Sequence, residues 1–583
     1  MNQEEGDPMI GNNSAFDALV SSLGEPEATA LRAWLRGRAG DQDGGWDPLT
    51  FLRDRERTSR PLARPVDDDP NAIRRIGVIG GGTAGYLTAL ALKARRPWLD
   101  VTVVESSSIP VIGVGESTVQ SIVPFLHHYV GIDPVELYRR VQPTWKLGIR
   151  FDWGPDPAGF MAPFDWSANS VGMLGSLATQ GNINAFTLQS LLMAADRTPV
   201  YRVDDRLVSL MPYLPFSYHL DNQPLVAFLT DLARGRGIGY VDAKIADVVL
   251  RGDEWVDHLR ADDGRRLDFD FYVDCTGFRS MLLGTAMRTP FHSYADSLVN
   301  DSAVIGNVGH GGLLKPYTTA STMNAGWCWT IPTVPSDHLG YVYCSAAISD
   351  ERAAEELAGR FPGVTAPEFV RFRTGRHARA WRGNVMAIGN SYAFVEPLQS
   401  SSLLMITLMV MMLTQTLPAS WDDAGTRTAF NMSIAKKWDA LRWFIAVHYR
   451  YNTRLDTPYW RDARANVEVS GIEPLVEAYV EGAPLQLRDA YTRGAVRAAV
   501  RTFYDLQAYD CVLAGQKLPA RMMPMAEDVE TWRERKRAAD SLVTRALPQH
   551  EALAAYHEHP SLHKELIDGA DSWTGPRQPI RLV

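Results

Sequence analysis

Cysteine is scarce in this chain. The 583 residues contain four, Cys275, Cys328, Cys344 and Cys511, far apart and without a C-x-x-C pair. That pattern excludes a disulfide framework or a cysteine-based zinc site as the organising principle and fits a reducing cytoplasm. A basic excess is also lacking. Against 68 acidic residues stand 59 Lys and Arg, for a formal net charge of -9, and no basic stripe interleaves with aromatics, so neither DNA nor RNA is an expected partner. The longest apolar run, Leu403 to Met412, is too short to cross a bilayer and reads as a buried helix. The opening MNQEEGDPMIGNN has neither the basic nor the apolar region of a signal peptide. Repeats and low-complexity tracts are missing too. What is present, 45% hydrophobic and 22% charged residues, describes an enzyme-sized globular chain with material for a large core.

Residues 1–70 read as an N-terminal extension: Leu19, Leu23, Leu31 and Leu35 give helical periodicity over Ala15 to Arg38, and a proline-punctuated linker runs from Arg60 to Pro70. Beyond it, Ile76 to Ile79 forms a short apolar strand, Gly80-Gly-Gly-Thr-Ala-Gly85 a turn, Tyr86 to Ala94 a helix and Val101 to Val104 a second strand. This is a βαβ unit of the Rossmann type, and its G-x-G-x-x-G turn has a mechanism. Gly80 permits the tight turn, Gly82 lets backbone approach a pyrophosphate, Gly85 allows close helix packing, and the turn, with Thr83 and Ala84 in it, leads into a helix N-terminus whose free N–H groups meet phosphate. Glu105, at the end of the second strand, is placed to bind the adenosine ribose. The turn does not separate FAD from NAD. Phe269 to Asp274 and Val385 to Ile388 are further apolar strands returning to the same sheet, and after about residue 416 the pattern is mainly helical. The expected organisation is an α/β dinucleotide-binding module over 71–415, with substrate-facing segments interleaved, followed by a mainly helical substrate-binding region over 416–583.

Two segments carry more specific chemistry. In Trp327-Cys-Trp-Thr-Ile-Pro332 an extended backbone puts both tryptophans on one face, and Pro332 is expected to end the extension. In Trp145-Lys-Leu-Gly-Ile-Arg-Phe-Asp152, alternation assigns Trp145, Leu147, Ile149 and Phe151 to one face of a strand and Lys146, Gly148, Arg150 and Asp152 to the other. By alternation alone the Lys146 face is a solvated one.

These segments, with Gly113-Val-Gly-Glu-Ser-Thr118, Asp274-Cys-Thr-Gly-Phe-Arg279, Phe394-Val-Glu-Pro-Leu398, Arg454-Leu-Asp-Thr-Pro-Tyr-Trp460, Cys511-Val-Leu-Ala-Gly515 and Pro560-Ser-Leu-His563, resemble the flavin-dependent tryptophan halogenases in collinear order from residue 74 to about 563. The resemblance implies FAD, supplied as FADH2 by a separate flavin reductase, with oxygen and chloride or bromide as co-substrates. It also implies flavin contacts at Ile109, Ile112, Val114, Ser117, Ile245, Asn390 and Leu403. Hypohalous acid would travel to Lys146, which hydrogen-bonds it or becomes a haloamine before an electron-rich aromatic carbon takes the halogen. The tryptophan pair would wall the substrate off from the flavin. An ordinary lysine has a pKa near ~10.4, so burial must lower that of Lys146 if its amine is to attack. A homodimer is compatible with the resemblance, and neither a membrane nor a metal enters it.

The chain departs from the family at two places. Gln399 stands where a catalytic glutamate is usual, and an amide orients and donates but carries no charge. Ser401 and Ser402 replace the Thr-Gly that contacts halide, so a glycine conformation at Ser402 would be strained. The Tyr-Tyr pair and glutamate that clamp free tryptophan align by count with Thr492, Arg493 and Ala499. The expected substrate is therefore tryptophan inside a peptide, such as a lanthipeptide, with a free indole or phenol as the alternative, and Phe164, Trp166, Tyr449 and Tyr451 as pocket candidates. The competing readings are an aromatic flavin monooxygenase and a flavin-binding protein without catalysis. His557, His559 and His563 have a spacing that could chelate metal, but without an acidic or cysteine anchor they are expected on a polar terminal helix.

Overall fold

In a computed structural model, residues 72–109, 115–164, 187–203, 206–212, 214–364, 367–418, 424–500, 502–521 and 529–569 are described, with scattered positions between 19 and 62. Most of the proposed Ala15 to Arg38 helix, most of the linker, and Ile112, Val114 and Trp166 lie outside them; of that helix Leu19 to Ser21 are helical, and Leu19 and Leu23 are buried.

The strand Arg75–Ile79 is central to a six-stranded sheet. It pairs in parallel with Asp100–Glu105 on one side and Phe271–Asp274 on the other; Gly239–Asp242 and Val385–Ala387 extend the parallel run, and Trp381–Arg382 closes it antiparallel. Four of the five residues of Arg75–Ile79 are buried, as expected of a central strand in a parallel sheet with both faces covered. The helix Thr83–Arg95 crosses from the first strand to the second, which completes the βαβ unit expected from the glycine turn. The returning strands fall where their apolar runs place them.

A seven-stranded sheet holds the tryptophan pair. Gly326–Pro332 lies between Thr318–Met323 and Asp337–Tyr343, and Gly148–Asp152 continues the sheet beyond Thr318–Met323. Pro332 is the last residue of the strand, paired with Asp337, so the extension runs through Ile331 rather than stopping before it. Trp327 and Trp329 share a face, with ring centroids 5.9 Å apart. The residue opposite Trp329 is Gly340, where a Cβ would lie 1.9 Å from the indole. The ring therefore occupies the space a side chain would take.

Lys146 does not sit on one continuous strand with Gly148. The chain breaks at Leu147, whose N–H bonds to Pro316, so that Thr144–Lys146 belongs to a separate antiparallel sheet with Ser217–Asp221 and Gly115–Ser117. This small sheet is buried on both faces: Trp145 and Lys146, neighbours pointing opposite ways, are each 0% exposed. Beyond residue 424 the described chain is predominantly helical, led by Ala424–Tyr451, and Leu403 to Met412 lies within the buried helix Ser401–Thr416.

Candidate active site

The glycine turn forms a cradle. Gly80 has φ +116°, and a Cβ there would lie 2.3 Å from the Cys275 carbonyl; at Gly85 it would lie 1.9 Å from the Gly80 carbonyl. At Gly82 an added Cβ meets nothing within 4 Å, so the backbone borders open space. Gly82 caps the helix Thr83–Arg95 with no side-chain bond and no acid follows in its first turn, which leaves its N–H groups and dipole for an anion. Glu105 accepts a hydrogen bond from Tyr86 Oη at 2.8 Å and lies so close to Gly81 that a Cβ there would fall 1.3 Å from its carboxylate. Gly81 is thus as constrained as the fingerprint glycines, a role its variable place in the motif concealed. Exposed Asn390 follows Gly389, whose added Cβ would contact Ala84, so this turn joins the cradle. Ile109 is 43% exposed, Ile245 is half-buried at the start of its strand, and Leu403 is 2% exposed within its helix.

Lys146 points into a polar cluster. Its Nζ donates to Ser117 Oγ at 2.9 Å, to the Thr118 carbonyl at 2.8 Å and to Ser400 Oγ at 2.6 Å, and lies 5.4 Å from the centre of the Phe164 ring. All three ammonium protons have acceptors, none of them a carboxylate. Burial with no counter-charge holds its pKa well below the ordinary lysine value. Ser117 is therefore committed to the lysine, with further bonds to Ser400 Oγ and Thr318 Oγ1. Ser400, buried and in the left-handed region at φ +55°, links the turn Pro397–Gln399 to the helix Ser401–Thr416. The sequence did not single it out, although it lies between two residues that were.

The tryptophan strand meets the same loop through Glu396, also unassigned from sequence. Its Oε2 accepts from Trp327 Nε1 and Asn300 Nδ2, each at 2.9 Å, and from Tyr449 Oη, while Oε1 is buried without a hydrogen-bond partner. Burial raises the Glu396 pKa. A single buried carboxyl group thus ties Trp327 to the turn that carries Gln399 and Ser400.

Comparison with known proteins places this geometry. Residues 75–531 match the profile of the tryptophan halogenase family. The chain belongs to that family. A tryptophan 6-halogenase of Streptomyces albogriseolus is 30% identical over 84% of this chain and 99% of its own length, and the tryptophan 7-halogenase RebH of Lentzea aerocolonigenes is 29% identical over 76% and 89%. Among solved structures, MibH, a lanthipeptide tryptophan 5-halogenase, is 60% identical with a TM-score of 0.85, covering 89% of this chain and all of that one. The chain is accordingly a flavin-dependent halogenase that uses FADH2, oxygen and a halide. The cradle of Gly80, Gly82 and the uncapped helix fits the pyrophosphate of FAD.

In this halogenase Gln399 is half-buried and its Nε2 donates to His448 Nε2 at 2.7 Å. His448 Nδ1 faces the Phe444 carbonyl at 2.9 Å and must donate to it, so Nε2 carries the lone pair that accepts the amide proton. Burial lowers the His448 pKa to about 4 and keeps the ring neutral. Ser402 lies in the first turn of the helix Ser401–Thr416 and has no positive φ; the left-handed residue is Ser400, two positions earlier, so serine at 402 requires no glycine conformation. Ser401 Oγ is buried without a hydrogen-bond partner at the start of that helix.

Tyr449 is 0% exposed, stacked on Trp460 with its hydroxyl on Glu396, whereas Tyr451 is half-buried and Phe164 faces Lys146. Thr492 and Arg493 bond to groups of their own segment, Asp489 and the carbonyls of Gln486 and Arg488, and Ala499 is exposed. The three histidines do not share a helix. His559 ends Gln549–Glu558, and His563 belongs to Ser561–Gly569, 2% exposed and stacked on Tyr138 at 3.7 Å. Packing, not polarity, explains His563.

Proposed function

We propose that this halogenase acts on the indole of a tryptophan held within a peptide of the lanthipeptide kind. The observation that carries the reading is Lys146, fully buried and held by Ser117, Thr118 and Ser400 with no carboxylate to fix its proton. The 60% identity to a lanthipeptide tryptophan halogenase supports the peptide substrate, as does the lack of a zwitterion clamp at Thr492, Arg493 and Ala499.

Bound FAD, reduced by a separate reductase, would activate molecular oxygen, and that oxygen would be the oxidant that turns halide into hypohalous acid. The turn Gly80–Gly85 and Glu105 would hold that cofactor, while Ser401 Oγ and the first N–H groups of the helix Ser401–Thr416 offer anion-binding donors. Lys146 presents the halogen to the ring, with Phe164 covering the ammonium from bulk water. Gln399, steered by His448, offers its amide carbonyl to positive charge developing on the indole, a weaker dipolar substitute for a carboxylate. Trp327, fastened by Glu396, keeps the loop of Gln399 and Ser400 in register with Lys146.

Purified protein supplied with a flavin reductase, NADH, FAD, oxygen and bromide or chloride should halogenate a tryptophan-containing peptide in preference to free tryptophan, read by mass spectrometry. Lys146→Met should yield no product while still binding FAD. Oxygen in place of halogen in the product, or full activity of Lys146→Met, would overturn the proposal.

A further inference from the structure

Lys146 must surrender a proton before its nitrogen can attack a halogen, and among the described residues no carboxylate touches it. A chain of hydroxyl groups does. Ser117 Oγ, which accepts from Lys146 Nζ, lies 2.5 Å from Thr318 Oγ1, and Thr318 Oγ1 lies 3.0 Å from Nε2 of His219, a residue 0% exposed. The register of the small sheet makes this possible: Ser117 and Thr144 both pair with His219, one from each neighbouring strand, and Lys146 follows two residues after Thr144 on the same face.

The direction of the protons follows from the far end. Thr144 Oγ1 lies 2.7 Å from the Pro332 carbonyl, which only accepts, so the single hydroxyl proton of Thr144 is spent there. His219 Nδ1, 3.0 Å from the same oxygen, must then be the donor. In the neutral ring Nε2 is consequently bare and accepts from Thr318, which in turn accepts from Ser117, which accepts from Lys146. Ser400 fits without conflict: it accepts from Lys146 and donates to Ser117 at 2.9 Å. Every proton along the path points from the lysine toward the histidine. Burial keeps His219 neutral at rest, and the positive charge of Lys146 acts in the same sense.

We propose that His219 is a proton-accepting positioning residue that receives a proton of Lys146 through Ser117 and Thr318 and later returns it. The inference rests on the halogenation reading above. In the forward sense the ammonium releases one proton to Ser117, Ser117 passes its own to Thr318 and Thr318 its own to His219 Nε2, leaving a neutral amine and an imidazolium. The amine nitrogen attacks hypohalous acid; the N–X bond forms, the O–X bond breaks, and hydroxide takes an amine proton to leave as water. The indole carbon then forms its C–X bond as N–X breaks, with the electron pair returning to nitrogen. The proton coming back from His219 makes that nitrogen a neutral amine again, and the ring proton that the indole loses passes to this amine and restores the ammonium. The sum is ArH + HOX giving ArX and water. If Lys146 only hydrogen-bonded hypohalous acid, the relay would be idle.

Two measurements test this. First, ¹⁵N-imidazole NMR of the protein, with His219→Gln identifying the resonances, should show His219 neutral and protonated on Nδ1; protonation on Nε2 would reverse the chain and overturn the proposal. Second, the share of oxidant that ends on substrate, rather than in a dimedone-type trap, should be compared among variants. Glutamine at 219 accepts from Thr318 and donates to Thr144 but takes up no proton, so His219→Gln keeps the bonds and loses the relay. Capture should fall at least about tenfold in His219→Gln and in Thr318→Val, a floor set below the ~10²–10⁴ typical of general acid–base catalysis, and return to within about twofold of the original in Thr318→Ser. Unchanged capture in both His219→Gln and Thr318→Val would refute the relay while leaving halogenation standing. Failure of the unaltered enzyme to halogenate any aromatic substrate would instead refute the halogenation reading, and the tautomer measured on the protein alone would still decide the direction of the chain.

Discussion

A lysine, a glutamine and a histidine define this site at the scale of single residues, and burial sets the protonation state of the two that titrate. Gln399 illustrates how a neutral group is oriented: its amide nitrogen is held by the lone pair of His448, which leaves the carbonyl oxygen free of that partner. A glutamate at this place would set a carboxylate against that lone pair. Gln399→Glu is therefore expected to lose product formation at alkaline pH and to regain part of it on acidification, because the new carboxylate raises the His448 pKa from about 4 and a protonated ring can bridge to it. Product yield relative to the unaltered enzyme, followed from about pH 8 down to about pH 6, measures this. A flat ratio would mean that His448 does not read the group at 399.

Among elements, the contacts that matter are those holding a strand or helix against the loop it serves. Glu396 joins the tryptophan strand, the Tyr449 helix and the Gln399 turn through one carboxyl group. Glu396→Ala would strand two buried donors, Trp327 Nε1 and Tyr449 Oη, while Asn300 Nδ2 keeps Tyr449 Oη at 3.0 Å; at about 1–3 kcal/mol each, a destabilisation of roughly 2–6 kcal/mol in urea unfolding is expected. Glu396→Gln, which keeps an acceptor, should cost less than half as much. The flavin cradle depends on a closer fit. Any side chain at Gly81 would enter the Glu105 carboxylate, and Gly81→Val should weaken FAD binding at least about tenfold by fluorescence titration, a loss near 1.4 kcal/mol. Gly82→Ala, facing open space with room for one methyl, should bind FAD better than Gly81→Val.

For the molecule as a whole, stability is tied to pH by carboxyl groups far from the chemistry. Asp510 is 0% exposed, accepts the N–H groups of Leu485 and Gln486 at 2.7 and 2.9 Å, and has its pKa pushed up to about 7 by burial. A carboxyl group whose folded pKa is raised binds its proton more tightly when folded. Its contribution is complete below the ordinary carboxyl range and is lost as pH rises through about 7. Unfolding free energy should decline between about pH 4 and about pH 7 by at most ~4 kcal/mol from this group and level off above that. Asp510→Asn, although less stable overall for want of one acceptor, should show a shallower decline; an unchanged slope would assign the pH dependence elsewhere.

Local pattern was enough for the βαβ unit, the glycine turn, the paired tryptophans and the buried helix after Leu403, because each depends on neighbours within one strand or turn of helix. It also marked Lys146 and Gln399 through the resemblance those motifs carry. Alternation failed at Leu147, since a strand that changes sheets keeps its side-chain period while exchanging its surroundings, and the face expected in water became interior. Ser400, Glu396, His219 and Thr318 had no sequence signature as a set: they stand on three separate segments, and only strand register and the crossing of two sheets bring their polar atoms within reach of their partners. The chain's own order determined that a dinucleotide cradle and a lysine would be present. Tertiary structure decided that the lysine would be buried without a counter-ion, because desolvation and hydrogen-bond direction are properties of the groups that surround an atom and not of its place in the sequence.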